Sequence, residues 1–393
     1  MQNNQAFNSS YDELPYWSRP IWQTAPEYVE TFSLSRGMPA FPATARILEV
    51  GCADGASILS IASRFPDYEC VGLDFSHILI RQAEKHKHGA GLKNLRFVCN
   101  SVSEIDESYG KFDFIICHGL YSWVSPDLRK KILDVCRQNL TNTGIAYISY
   151  NTYPGWSSLE TIRDLLWFHT QEAVVPAEKI KKSREILSAL GRGDSTLAKD
   201  ARYICDQTDS YIFHQYFDIN HPLYFYEFIT KASEHGLQFL AETHRTSDSL
   251  NIGVDIHAEQ INDFKTMRRF RGTLLCRSEC VLKAATDTAG RITNYQTSLP
   301  EKPKVSPLSL YQCRSQGWLT NQRQECVTID KFQAIIVSML DGTQDINDIT
   351  KKILPLIETG ELVVSSEDSD PAHVVRHAIG ETLAELLKHA LII

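Results

Sequence analysis

The feature that most constrains this chain is a repeated alternation of short apolar strands with helix-like segments over its first 150 residues. Ala45-Arg46-Ile47-Leu48-Glu49-Val50 reads as a buried strand that ends in Gly51. A helical pattern follows over 58–65 and is broken by Pro66 and Asp67. The cycle then repeats: a strand over 69–73 ending at Asp74, a helix over 76–86, and strands over 95–99 and 112–117. A helix over 126–139, closed by Gly144, leads to a fifth strand over 145–150. Strands this continuously apolar are covered on both faces. Short β–α connections predict a doubly wound α/β fold, a mostly parallel sheet with right-handed crossovers.

The rest of the chain extends that plan. Residues 157–218 read as a helical insertion over the active site. A helix over 222–235 and strands over 237–241 and 273–282 supply a sixth and a seventh strand, so 1–285 is expected to form one domain. Residues 286–306 are turn-rich, with Pro300 and Pro303, and read as a linker. Helical patterns over 332–340, 346–357 and 374–387 predict a small C-terminal helical domain at 307–393, winged-helix-like in character. A short polar run covers 365–370.

The first strand–helix junction, Glu49-Val50-Gly51-Cys52-Ala53-Asp54-Gly55, carries the chemistry. Glycines let backbone approach a ligand closely, and the next helix offers free N–H groups. Asp74 ends the second strand about twenty residues on, placed to accept ribose hydroxyls. This pairing points to an adenosine-bearing cofactor. A dinucleotide turn needs glycine where Ala53 stands, and the Glu49 carboxylate would repel pyrophosphate. Glu49 instead suits a cationic amino-acid end, such as that of S-adenosylmethionine. Candidate cofactor contacts are therefore Glu49, Gly51, Cys52, Ala53, Gly55, Asp74 and Phe75, with Asn100, Ser101 and His118 at later strand ends.

The turn resembles the first motif of class I methyltransferases. More narrowly, the chain resembles the bacterial family with a "methyltransferase regulatory domain", which includes rickettsial protein-lysine methyltransferases. The matching segments are Tyr11-Asp12-Glu13-Leu14-Pro15-Tyr16, the turn, His118-Gly119-Leu120-Tyr121-Ser122-Trp123-Val124 and Ser149-Tyr150-Asn151-Thr152-Tyr153-Pro154-Gly155-Trp156. Pro222-Leu223-Tyr224-Phe225 and Arg269-Phe270-Arg271-Gly272-Thr273-Leu274-Leu275 follow. The resemblance implies methyl transfer from S-adenosylmethionine to a protein substrate, with lysine as acceptor. It also places the family's regulatory label on 211–285. The family often has Gly-Gly-Asn where this chain has Gly55-Ala56-Ser57. That departure leaves a non-catalytic binding module open, and because the acceptor class rests on the resemblance and not on the residues, a small-molecule methyltransferase stays open too.

Both aromatic motifs fall at the carboxyl ends of strands, where open α/β sheets bind ligands. His118, Tyr121, Trp123, Tyr150, Asn151, Tyr153 and Trp156 are expected to line one pocket. Of these, Tyr121, Trp123, Tyr150, Asn151 and Tyr153 are the candidates for the acceptor site. Aromatic faces hold ammonium groups, and a desolvated channel lowers an amine's pKa.

Composition sets the outer limits. Over 393 residues the net charge is -8, which provides no footprint for nucleic acid. Arg268, Arg269 and Arg271 read as a solvated helix end and an edge strand with salt bridges. No segment reads as a signal peptide or as a membrane-inserted span. Ten scattered cysteines suit a reducing, cytoplasmic compartment, and no metal site is expected. Nothing in the sequence sets an oligomeric state.

Overall fold

The computed structural model describes residues 14–243, 255–283, 296, 298–362 and 370–393. The expected linker at 286–295 and 297, residues 11–13 of the first motif, and most of the polar run at 365–370 lie outside the described residues.

Seven strands form one sheet in the order β3-β2-β1-β4-β5-β7-β6. They are β1 (Arg46–Val50), β2 (Glu69–Asp74), β3 (Leu95–Cys99), β4 (Phe112–Cys117), β5 (Leu140–Asn151), β6 (Leu237–Glu242) and β7 (Phe270–Arg277). The first five pair in parallel, and β7 runs antiparallel between β5 and β6. The strand order reverses between β1 and β4, so the connections leaving their carboxyl ends pass to opposite faces and open the crevice in which such sheets bind ligands. Apolar layers cover both faces. One includes Leu48, Val71, Ile115, Ile148 and Phe228, and the other Ile47, Cys70, Phe114, Tyr147 and Leu274.

Three expectations change. The seventh strand starts at Phe270 and not at Thr273, and it ends at Arg277. It is an interior strand, so Arg271 is not on a solvated edge. Arg271 is wholly buried and bonded to Glu242, Glu259 and Asp263. Gly144 lies inside β5 and does not close the preceding helix. A Cβ there would stand 2.9 Å from the Phe112 carbonyl, beside a register shift in the β4–β5 ladder. Sequence reading also passed over the helix Pro26–Ser35, which packs at β6 with Val29 in the core.

Four helices, Ser157–His169, Pro176–Leu190, Thr196–Cys205 and Asp209–Phe217, follow β5 and share their own apolar core. At the C-terminus, helices Pro307–Ser315, Lys331–Val337, Ile346–Glu358 and Pro371–Lys388 combine with a hairpin of β8 (Trp318–Thr320) and β9 (Cys326–Thr328). This is a winged-helix arrangement around a separate core that includes Leu319, Ile336, Ile353 and Leu383.

Candidate active site

The cofactor turn owes its shape to three left-handed residues. Gly51, Ala53 and Gly55 have φ of 73°, 49° and 86°. Glycine at position 55 is obligatory on steric grounds too, because a Cβ would lie 2.7 Å from the Phe97 ring. The Leu73 carbonyl accepts the amides of Gly51 and Cys52 at 2.8 and 3.0 Å, which fastens the turn to β2. Asp74 accepts the Ala53 amide on Oδ2 and the Ser76 amide on Oδ1, each at 2.9 Å. Glu49 accepts the Ile58 amide at 3.0 Å. Burial pushes its carboxyl up to about 8; the Ile58 bond opposes this, and nearby Asp74 and Asp54 reinforce it.

A cavity of about 520 Å³ opens above this turn. Of the expected cofactor residues, Glu49, Gly51, Cys52, Ala53, Asp74, Phe75 and His118 line it. Gly55 shapes the turn from behind. Asn100 and Ser101 are not in the lining: the Asn100 Oδ1 accepts the Ser101 amide, and the Ser101 hydroxyl caps the short helix after it. His118 stacks on Tyr147, with its Nδ1 3.0 Å from the Tyr147 hydroxyl.

The acceptor candidates divide. Trp123, Asn151 and Trp156 line the cavity, with the two indoles in edge contact. Tyr121 and Tyr150 do not. Both are buried in the core against Phe228: Tyr150 because successive residues of β5 face opposite sides, and Tyr121 because it opens the short helical turn Tyr121–Trp123 on its core side. The Tyr150 hydroxyl pairs with Thr273, and that of Tyr121 has no hydrogen-bond partner among the described residues. Tyr153 turns away to Glu160 and Tyr224.

Other residues take the vacated roles. Tyr16, Trp17, Ser18, Arg19 and Ile21 form one wall, and Tyr203, Tyr211, His214 and Tyr216 of the helical insertion form another, with Arg269 and Phe270 between. Arg269 is fixed by a two-pronged salt bridge to Asp200 at 2.7 Å. The signal for the first wall was present in the Leu14-Pro15-Tyr16 string. The second wall had none beyond its tyrosine content. Ala56 is not in this lining, so its methyl does not narrow the cavity. Ser57 is, and its hydroxyl accepts the Ile21 amide at 3.1 Å.

An adenosine-bearing ligand fits these residues. Gly51 lines the cavity where a Cβ would meet Leu120 at 3.1 Å, and Asp74 faces the same space with its carboxylate already oriented. Sheet order, turn and acid together define a class I S-adenosylmethionine-dependent methyltransferase, and its cofactor is S-adenosylmethionine. Comparison with known proteins narrows this. Residues 47–144 match a methyltransferase domain, 208–277 a predicted methyltransferase regulatory domain, and 301–392 the C-terminal winged helix domain of PKMT. Two uncharacterized proteins of Rickettsia prowazekii are similar. RP789 is 37% identical over 76% of this chain and 58% of its own length. RP028 is 38% identical over 59% of this chain and 96% of its own. This chain therefore spans little more than half of RP789. The structure of PKMT2 from Rickettsia typhi superimposes with a TM-score of 0.83 at 25% identity, over 96% of this chain and all of the other. The same protein in complex with AdoHcy gives 0.81. The chain belongs to the bacterial methyltransferase family that carries the regulatory domain and the PKMT winged helix.

Proposed function

We propose that this chain transfers a methyl group from S-adenosylmethionine to a protein side chain, and that the acceptor is the lysine Nζ. One observation carries the reading: the cavity has two chemically different halves. Its carboxylates, Glu49 and Asp74, stand at the carboxyl ends of β1 and β2, beside the cofactor turn. The other half presents Tyr16, Trp17, Trp123, Trp156, Tyr203 and Tyr211 and no carboxylate among the described lining residues.

Lysine is a nucleophile only when neutral. A carboxylate beside it would hold the proton, whereas aromatic burial lowers the ammonium pKa and releases the proton to water. The same aromatic faces attract the cation that forms as the N–C bond is made. Asn151 has its Nδ2 committed to the Asn220 Oδ1 at 2.9 Å, which leaves its own oxygen to accept from an amine. On the cofactor side, Glu49, the turn from Gly51 to Ala53, Asp74 and His118 would hold the ligand. When bound, S-adenosylmethionine supplies an electrophilic methyl on a sulfonium. The chain's part is alignment and the exclusion of water. The ten free cysteines support a cytoplasmic setting.

The test is mass spectrometry of a lysine-containing peptide library after incubation with methyl-labelled cofactor. Label on Nζ supports the reading. Label confined to another side chain or to a small molecule, with none on Nζ, removes the lysine assignment.

A further inference from the structure

The wing of the C-terminal domain does not project into solvent. Its tip, 321–325, reverses the chain between β8 and β9, with Gln324 in the left-handed region at φ 60°. Hairpin tips place glycine or asparagine at such a position, since a Cβ is disfavoured there. Here a glutamine occupies it, and its side chain is wholly buried.

That side chain crosses the domain boundary. Its Nε2 donates to the Ile21 carbonyl and to the Thr24 hydroxyl, both at 2.8 Å. Its Oε1 accepts from Arg64 at 2.8 Å, and the same guanidinium also donates to the Gln322 carbonyl. Thr24, itself fully buried, donates to the Ile21 carbonyl. The wing thus grips the chain at Ile21, whose amide is bonded on the other side to Ser57. Three residues earlier, the Ser18 amide and hydroxyl both reach Asp54 of the cofactor turn, and the Ala56 amide donates to the Ser18 hydroxyl. Between these anchors, Arg19 lines the cavity and lays its guanidinium over the Trp318 ring of β8 at 4.6 Å.

We infer that Gln324 is a positioning residue for cofactor binding: from the wing tip it holds the segment 18–21 against the cofactor turn as part of one wall of the cavity. The side chain is kept at a position that favours glycine because the brace needs its amide.

The inference rests on the cofactor assignment, so the experiment separates the two. Calorimetry with S-adenosylhomocysteine is run on the full-length wild type, Gln324→Gly and Thr24→Val, with thermal unfolding of each apo protein alongside. Failure of the wild type to bind rejects the cofactor reading itself. Given wild-type binding, Gln324→Gly is expected to weaken affinity roughly tenfold or more, from the loss of two buried hydrogen bonds to Ile21 and Thr24. Its hairpin backbone is at the same time relieved of the left-handed side chain. Thr24→Val keeps the side chain's shape but removes the bond from Gln324 and Thr24's own bond to the Ile21 carbonyl, and it should weaken affinity a fewfold. Wild-type affinity in Gln324→Gly means that the residue serves only the turn and overturns the inference. If that variant does not fold, Thr24→Val decides in the same way.

Discussion

The Glu49 carboxylate accepts the amide of Ile58 at 3.0 Å, so the residue that opens the cofactor turn also fastens the helix that closes it. Its carboxyl is pushed up to about 8, by burial first and then by Asp74 and Asp54. The folded protein therefore holds this proton more tightly than the unfolded chain, where a glutamate titrates at about 4.3. The resulting stabilisation is fully present below the unfolded value and is lost as pH rises through about 8. Between those two values, apo-protein stability is expected to fall with rising pH. Glu49→Gln should flatten that slope in chemical denaturation. A wild-type slope unchanged by Glu49→Gln rules out Glu49 as the source.

Arg271 predicts a different kind of loss. Its guanidinium lies over the Phe225 ring at 3.9 Å, and it donates to Glu242 and Asp263 at 2.7 to 2.9 Å. Removing one member of a buried ion group strands the remaining charges, at about 3–5 kcal/mol. Arg271→Met should therefore lower the free energy of unfolding, read from chemical denaturation, by about that amount. A change below about 1 kcal/mol would mean that the acids take up protons without penalty.

How much of this was legible beforehand follows from what each residue answers to. The strands β1 to β5 and the Glu49–Gly55 turn were readable because burial on both faces and a tight turn are local demands on residue type. Arg271 was misread because its acids are brought to it only by the fold, 8 to 29 residues away in sequence. The aromatic strings after β4 and β5 gave the right place. They could not say which ring faces inward, because Tyr150 and Asn151 are neighbours on opposite faces of one strand. The wall at 16–21 has no periodicity of its own. Its position is set by Asp54, Ser57 and Gln324, which lie 36 to 303 residues away.

The division among the aromatic residues gives a paired prediction. Trp123 lines the cavity and Tyr150 does not. Trp123→Ala should reduce methyl transfer to peptide at least tenfold and leave S-adenosylhomocysteine affinity within a fewfold of wild type. Tyr150→Phe removes only the bond to Thr273 and should cost about 1 kcal/mol of stability with turnover unchanged. Single-turnover rates and calorimetry check both. Equal losses of turnover in the two variants would contradict the assignment of Tyr150 to the core.

Asp74 supplies the sharpest test of the cofactor turn. Its two carboxylate oxygens accept separate amides, Ala53 on Oδ2 and Ser76 on Oδ1. An asparagine has a single acceptor oxygen, so in Asp74→Asn one of those N–H groups must face an NH₂ group. The turn then loosens on one side, and any ribose hydroxyl bonded to the lost oxygen loses its acceptor. Each buried group left unmatched costs about 1–3 kcal/mol. Affinity for S-adenosylmethionine should accordingly fall by roughly ten- to a hundredfold, with a smaller loss in the unfolding midpoint of the apo protein. Calorimetry that finds wild-type affinity in Asp74→Asn would show that the carboxylate braces the turn without contributing to the ligand.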